Sequence, residues 1–141
     1  MSEMSDKVIA EARSWIGTPW HHLARVKGAG VDCAQFLVAV YAAAGLIEDF
    51  DTEYYPADWF QHHDEPRFVK MVLSKAERVD VPQPADVVMF KFGRHAAHGA
   101  IVIEWPLIVH AYKDEGCVCI TNVEGSPIEH RVAGFYRVKG V

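Results

Sequence analysis

The chain has 141 residues, half of them hydrophobic, with a formal net charge of −5. This length and apolar content suit one domain around one core, 1–141, and exclude a disordered chain. The acidic balance, with no Lys/Arg-rich block, argues against nucleic acid as the main partner, and the longest apolar run, 36–46, is too short to span a bilayer.

The N-terminal stretch MSEMSDKVIAEARSW carries acids early and has no apolar h-region, so no secretory signal is read and cytoplasmic synthesis is expected. Within it, Val8, Ile9, Ala12, Trp15 and Ile16 recur at helical spacing. They predict a helix over 5–16, capped by Ser5 or Asp6 and ended by Gly17-Thr18-Pro19. Residues 20–31 read as a loop with sharp turns at Gly28 and Gly30.

A second helix is predicted over 32–44, apolar nearly all round and so packed on several sides, with Gly45 just past its end. Residues 46–65 are acidic and aromatic without a clear period and read as ordered surface. A third helix is expected over 66–76, starting at Pro66. After Pro82 and Pro84 the pattern changes to short β-rich runs at 87–90, 99–104, 107–112, 117–121 and 134–138, separated by Gly, Pro and Asp-Glu-Gly. Helices first and an antiparallel meander second is an α+β order, not alternating βαβ.

Cys33 falls in the first turn of the second helix. The unpaired amides and the positive end of the dipole there favour an anion, and such places lower a thiol pKa. The same residue also fits as a small buried hydrophobe, and on its own the position leaves both readings open. A nucleophile needs a base. His98 opens the run HGAIVIE and His110 lies in LIVHAY. A three-residue loop, Glu104-Trp105-Pro106, would pair Ile103 with Leu107 and put both histidines on one sheet face. A two- or four-residue loop would put them on opposite faces. Nucleophile, base and orienter of the base would then be Cys33, His98 and His110.

In combination, the blocks GTPWHHLARVKGAGVDCAQF, QPADVVMFKFG, HGAIVI and LIVHAY resemble the NlpC-type cell-wall cysteine peptidases of the papain-like superfamily, in their phage-tail and gene-transfer-agent branch. The resemblance runs from Ile9 to Arg137. It implies a papain-like NlpC fold, with N-terminal helices and the nucleophile-bearing helix packed on a small antiparallel β-sheet. It implies Cys33 as nucleophile, His98 as general base and His110 as its orienter, with no cofactor. The implied substrate is the peptide stem of peptidoglycan, cut after D-glutamate before a diamino acid. Phage-like tail proteins are the implied partners, and a tail particle acting on the cell wall the implied place of action. Trp20, His22 and Asp32 are the expected substrate-binding set; His22 is placed there by its position just before the Cys loop, with a solvent-exposed side chain as the alternative.

Three positions depart from the family pattern. Trp20 replaces a tyrosine, Ala34 a common serine, and Ala85 the glycine of Pro-Gly-Asp. Trp20 and Ala34 bear on substrate recognition more than on catalysis. A structural tail component with weak or lost activity, and an acyltransferase or amidase of the same fold, are the alternatives. The adjacent pairs His21-His22 and His62-His63 and the spacing His95-x-x-His98 raise a zinc site. No HExxH or CxxC accompanies them, and none is assigned. Cys117 and Cys119 share a strand face and read as inert packing.

Overall fold

A serine hydroxyl starts the first helix. The Ser5 amide donates to Ser2 Oγ at 3.0 Å. From that cap α1 runs Glu3–Arg13, with acids in its first turn and Arg13 in its last, as the helix dipole favours. The cap thus lies ahead of the expected Ser5 or Asp6; Ser5 is inside the helix and buried with Val8, Ile9 and Ala12. The molecule is described here from a computed structural model that covers residues 2–49, 74–92 and 95–141.

The stretch expected as loop contains a small antiparallel hairpin, β1 (Arg25–Val26) with β2 (Gly30–Val31). Gly28 turns it at φ +81°. Gly30 has a different reason to be glycine: a Cβ there would lie 2.9 Å from the Cβ of His21. The second helix, α2, runs Cys33–Ala43 with Asp32 as its N-cap. Behind it the amides of Gly45 and Leu46 donate to the carbonyls of Ala42 and Tyr41, with Gly45 at φ +82°. That pattern satisfies the last carbonyls of the helix.

Six strands form one sheet: β3 (Ala76–Val79), β4 (Val87–Phe92), β5 (His95–Glu104), β6 (Leu107–Tyr112), β7 (Cys117–Asn122) and β8 (Val132–Val138). Their spatial order is β3-β8-β4-β5-β6-β7, with antiparallel neighbours throughout. The expected meander holds for β4 to β7. β8 then returns to flank β4, and β3 takes the outer edge. β3 corrects the third helix at its end: Ala76 pairs with Val138 in the sheet, where a ladder outweighs a weak helical pattern. Residues 66–73 and 50–65 lie outside the described residues.

Strand alternation divides the apolar side chains between two clusters. Val87, Met89, Ile101, Val109, Ala111 and Val118 face α1 and α2, where they meet Phe36 and Leu37. Val88, Phe90, Ala100, Val102, Ile108 and Tyr112 face away and are covered by Val123 and Ile128. Gly99 lies on the helix face, where a Cβ would come within 2.7 Å of Leu37 Cδ1 and 3.2 Å of Met89 Sδ. Helix and strand therefore touch at a point that only glycine leaves open. Ala85, at φ +73°, occupies a backbone region that suits glycine. It is held there by its amide on Val102 O at 2.8 Å and by the Tyr41 hydroxyl, which donates to Ala85 O at 2.7 Å. Beneath it, buried Asp86 receives Arg137 Nε and Nη2, each at 2.9 Å. This architecture is the α+β one expected, with the cysteine-bearing helix on an antiparallel sheet.

Candidate active site

The β5–β6 connection decides which face the histidines share. The loop is two residues, Trp105-Pro106, not three, because Glu104 pairs with Leu107. Taken alone, that loop would set His98 and His110 on opposite faces. Ile103 is the correction: it bulges out of the ladder, and beyond it Val102 pairs with Ile108 and Ile101 with Val109. The pairing expected from a three-residue loop is thereby restored where it matters. A second bulge precedes His98, since Phe90 pairs with His98 but Lys91 with Ala96.

The two imidazoles meet. His98 Nε2 and His110 Nδ1 are 2.8 Å apart, closer than diagonal neighbours need be. His110 Nε2 continues to Thr121 Oγ1 at 2.9 Å. Both rings sit in an aromatic box. Phe90, Phe92 and Tyr112 surround His98 at centroid distances of 5.8, 6.2 and 5.6 Å. Tyr112 also stacks on His110 at 4.7 Å and 14°. His98 is 7% exposed and His110 fully buried. Burial pushes the His98 pKa down to about 4. Burial, with the neighbouring His98 adding to it, pushes His110 to about 2. Both rings are therefore neutral at pH 7.

Cys33 arrives from the helix side. Its thiol lies against the backbone N–H of Gly99 and those of Ala34 and Cys33 itself. Cys33 and His98 thus flank one peptide unit of β5, the bond from His98 to Gly99. The helix start does not lower this thiol as expected. Loss of hydration, with the Asp32 carboxylate adding to it, pushes it up to about 12 against the opposing pull of those three amides. Cys33 retains some exposed surface, yet protein packed around it still strips a thiolate of water. The resting pair is a neutral thiol and a neutral imidazole.

Asp32, expected in the substrate-binding set, is turned inward. It is 2% exposed. Its Oδ1 accepts the Gln35 amide at 2.9 Å, capping α2, and its Oδ2 accepts the Leu23 amide at 2.7 Å. Leu23 stands at φ +64°, so the carboxylate holds a strained turn as well as the helix. Both carboxylate oxygens of Asp32 are thus engaged by backbone amides within the protein. His22 Nδ1 lies 3.7 Å from the same Oδ2. Trp20 stacks beside His22 at 6.5 Å, with Lys113 Nζ 5.3 Å from its ring. Half-buried Trp20 and His22 thus lie side by side, and the Trp20 amide donates to Gly116 O, in the turn before β7, at 2.8 Å.

Sequence reasoning missed Thr121 and the aromatic box. The signal for Tyr112 was present, two residues after His110 and so on its face. Thr121 becomes visible only with the β6–β7 register, which sets Cys119 opposite His110. Cys117 and Cys119 are partly buried on that shared face, and burial raises Cys119. Among the described residues no three His, Cys, Asp or Glu side chains converge as metal ligands. No described helix is long and apolar enough to cross a membrane.

No family model and no curated protein matches this chain. Solved structures do. The NlpC/p60 domain of the peptidoglycan hydrolase SagA is 18% identical with a TM-score of 0.61, the match covering 94% of this chain and 97% of that one. An NlpC/p60 family protein from Bacillus cereus is 19% identical with a TM-score of 0.70, over 95% of this chain and 40% of that one. The peptidoglycan hydrolase RipB from Mycobacterium tuberculosis is 14% identical with a TM-score of 0.66, over 96% and 64%. This chain thus spans nearly all of the first and well under two thirds of the B. cereus protein. At these identities the likeness establishes the fold: the chain folds as NlpC/p60 domains do.

Proposed function

We propose that this chain is a cysteine endopeptidase of the NlpC type that hydrolyses amide bonds in the peptide stem of peptidoglycan. The observation that carries the reading is the placement of a thiol and a buried histidine pair about one peptide unit of β5, His98 bonded to His110 at 2.8 Å and Cys33 on the Gly99 amide. The shared fold with domains described as peptidoglycan hydrolases supports the cell wall as substrate. The finer assignment, the bond between D-glutamate and a diamino acid, rests on the block-by-block resemblance, as does association with a phage-like tail.

The chemistry follows from neutral partners. His98, with Nε2 committed to His110, has Nδ1 left to take the thiol proton as the sulfur attacks the substrate carbonyl. The proton passes within the site, so a thiol that holds it tightly in the empty enzyme can still deliver it to a base as the carbon–sulfur bond forms. The amides of Cys33 and Ala34 lie against the sulfur, where an oxyanion would develop. His98 then protonates the leaving amine, and water hydrolyses the thioester. Trp20 and His22 supply the wall of the groove.

Digestion of purified muropeptides by the intact protein and by Cys33→Ala and His98→Ala tests the proposal. Cleavage by the intact protein alone is expected; cleavage by all three, or by none, overturns it. A second reading, a tail component with lost activity, is favoured by the raised Cys33 thiol and by Trp20 in place of a hydroxyl-bearing ring. It predicts no digestion and unimpaired delivery by particles carrying Cys33→Ala. Mass spectrometry of the products separates hydrolysis from acyl transfer to another acceptor.

A further inference from the structure

β7 places a hydroxyl at the end of the imidazole pair. His110 Nε2 lies 2.9 Å from Thr121 Oγ1, which in turn lies 3.8 Å from Cys119 Sγ. With the His98–His110 bond, the four groups form one line. A neutral imidazole has one N–H and one bare nitrogen, so the line can run in two polarities. In the first, Thr121 donates to His110 Nε2, His110 Nδ1–H donates to His98 Nε2, and the proton of His98 sits on Nδ1. Nothing is then left to accept a proton from Cys33. In the second, His98 Nε2–H donates to His110 Nδ1 and His110 Nε2–H donates to Thr121 Oγ1. His98 Nδ1 is bare, and the Thr121 hydroxyl proton is directed at Cys119 Sγ. An imidazolium at His98 fits the second alone, since both of its nitrogens then donate.

We propose that Thr121 is a positioning residue that, by accepting the His110 Nε2–H, selects the second polarity and keeps His98 Nδ1 free to act as the base. The proposal rests on the base role given to His98, but the tautomers it requires exist without substrate. Solvent is a poor substitute acceptor, because His110 is fully buried. Removing the hydroxyl costs the second polarity the acceptor of a buried N–H and the first only a donor to a bare nitrogen. The unpaired N–H is the costlier loss, and a difference of about 1 kcal/mol shifts the balance about fivefold toward the first.

Long-range ¹H–¹⁵N spectra of the full chain labelled at histidine nitrogens test this. His98 and His110 are both expected as Nε2–H tautomers. In Thr121→Val the His110 signal moves toward Nδ1–H, while Thr121→Ser keeps the native pattern. On muropeptides, Thr121→Val lowers kcat up to about fivefold with KM unchanged, and Thr121→Ser restores it. An Nδ1–H tautomer at His110 in the native protein overturns the proposal, and that measurement needs no variant to fold. An unchanged tautomer in Thr121→Val overturns it equally. Tautomers as stated in a protein that digests no muropeptide support the role of Thr121 and remove the peptidase reading instead.

Discussion

Replacing Gly99 by alanine tests the contact that brings α2 to β5. The new methyl would start 2.7 Å from Leu37 Cδ1, about 1 Å inside ordinary carbon–carbon contact. Leu37 is 1% exposed and cannot swing into solvent. Met89 Sδ, at 3.2 Å, blocks the other side. Overpacking of this kind costs about 1–3 kcal/mol. For a chain of this size each kcal/mol lowers Tm by roughly 2–4 °C, so Gly99→Ala should melt about 2–12 °C early. Leu37→Val removes the clashing Cδ1 at a cost of its own of about 1 kcal/mol. In that background Gly99→Ala should be milder, with a coupling of about 1 kcal/mol or more in the double-mutant cycle. Thermal unfolding by circular dichroism reads all four proteins. Leu37 is one turn along α2 from Cys33, so iodoacetamide labelling of the thiol in Gly99→Ala should change as well. A Gly99→Ala protein that melts with the parent, or a penalty unchanged by Leu37→Val, would refute the close-contact account.

Acid should weaken the fold through the histidine pair. Both folded pKa values lie below the unfolded value of about 6.5, so the unfolded chain binds protons first. Stability is fully present well above pH 6.5 and falls as pH drops from there, toward 4 for His98 and toward 2 for His110. The loss is about 2 kcal/mol per ring by pH 5, and urea midpoints between pH 7.5 and 5 should show it. A midpoint flat over that range contradicts the burial. Cys33, pushed up to about 12, should react with iodoacetamide faster as pH rises from 6 to 9 in the empty protein; a rate already maximal at pH 6 would show a thiolate at rest. Asp32→Ala removes the cap of α2 and the acceptor for Leu23, and should cost about 1–2 kcal/mol in urea unfolding, with Asp32→Asn retaining much of it. An Asp32→Ala protein as stable as the parent would remove the inward role given to that carboxylate.

Local rules reached much of this site. The apolar run and the Gly45 after it bound α2 within a residue, because helix periodicity and termination are short-range chemistry; that Asp32 caps its start was not read. β6 was legible to its ends, since Glu104-Trp105-Pro106 and Asp114-Glu115-Gly116 punctuate it. What was not legible depends on partners distant in the chain. Ala76–Val79 becomes a strand only because β8 lies beside it. The extra residue at Ile103 follows from pairing on both sides of β5, not from the turn. The thiol of Cys33 was expected low from the helix start alone. Burial raises it instead, in a site that includes β5, far along the chain, whose Gly99 amide lies against the sulfur. Thr121 needed the register of β7 before its hydroxyl could be connected to anything.

Ile103 has a further consequence. Strand geometry has a phase of two, and β4–β5 and β6–β7 would be out of step across a two-residue turn. The single unpaired residue shifts the phase by one and brings His98 onto the side where His110 already stands. Deleting Ile103 would remove the bulge along with the residue, leaving Glu104 opposite Leu107 and Val102 opposite Ile108, so the two rings should keep their shared face. The relation between the two imidazoles is thus a parity, set by the number of residues between them together with the one that stands out of the ladder.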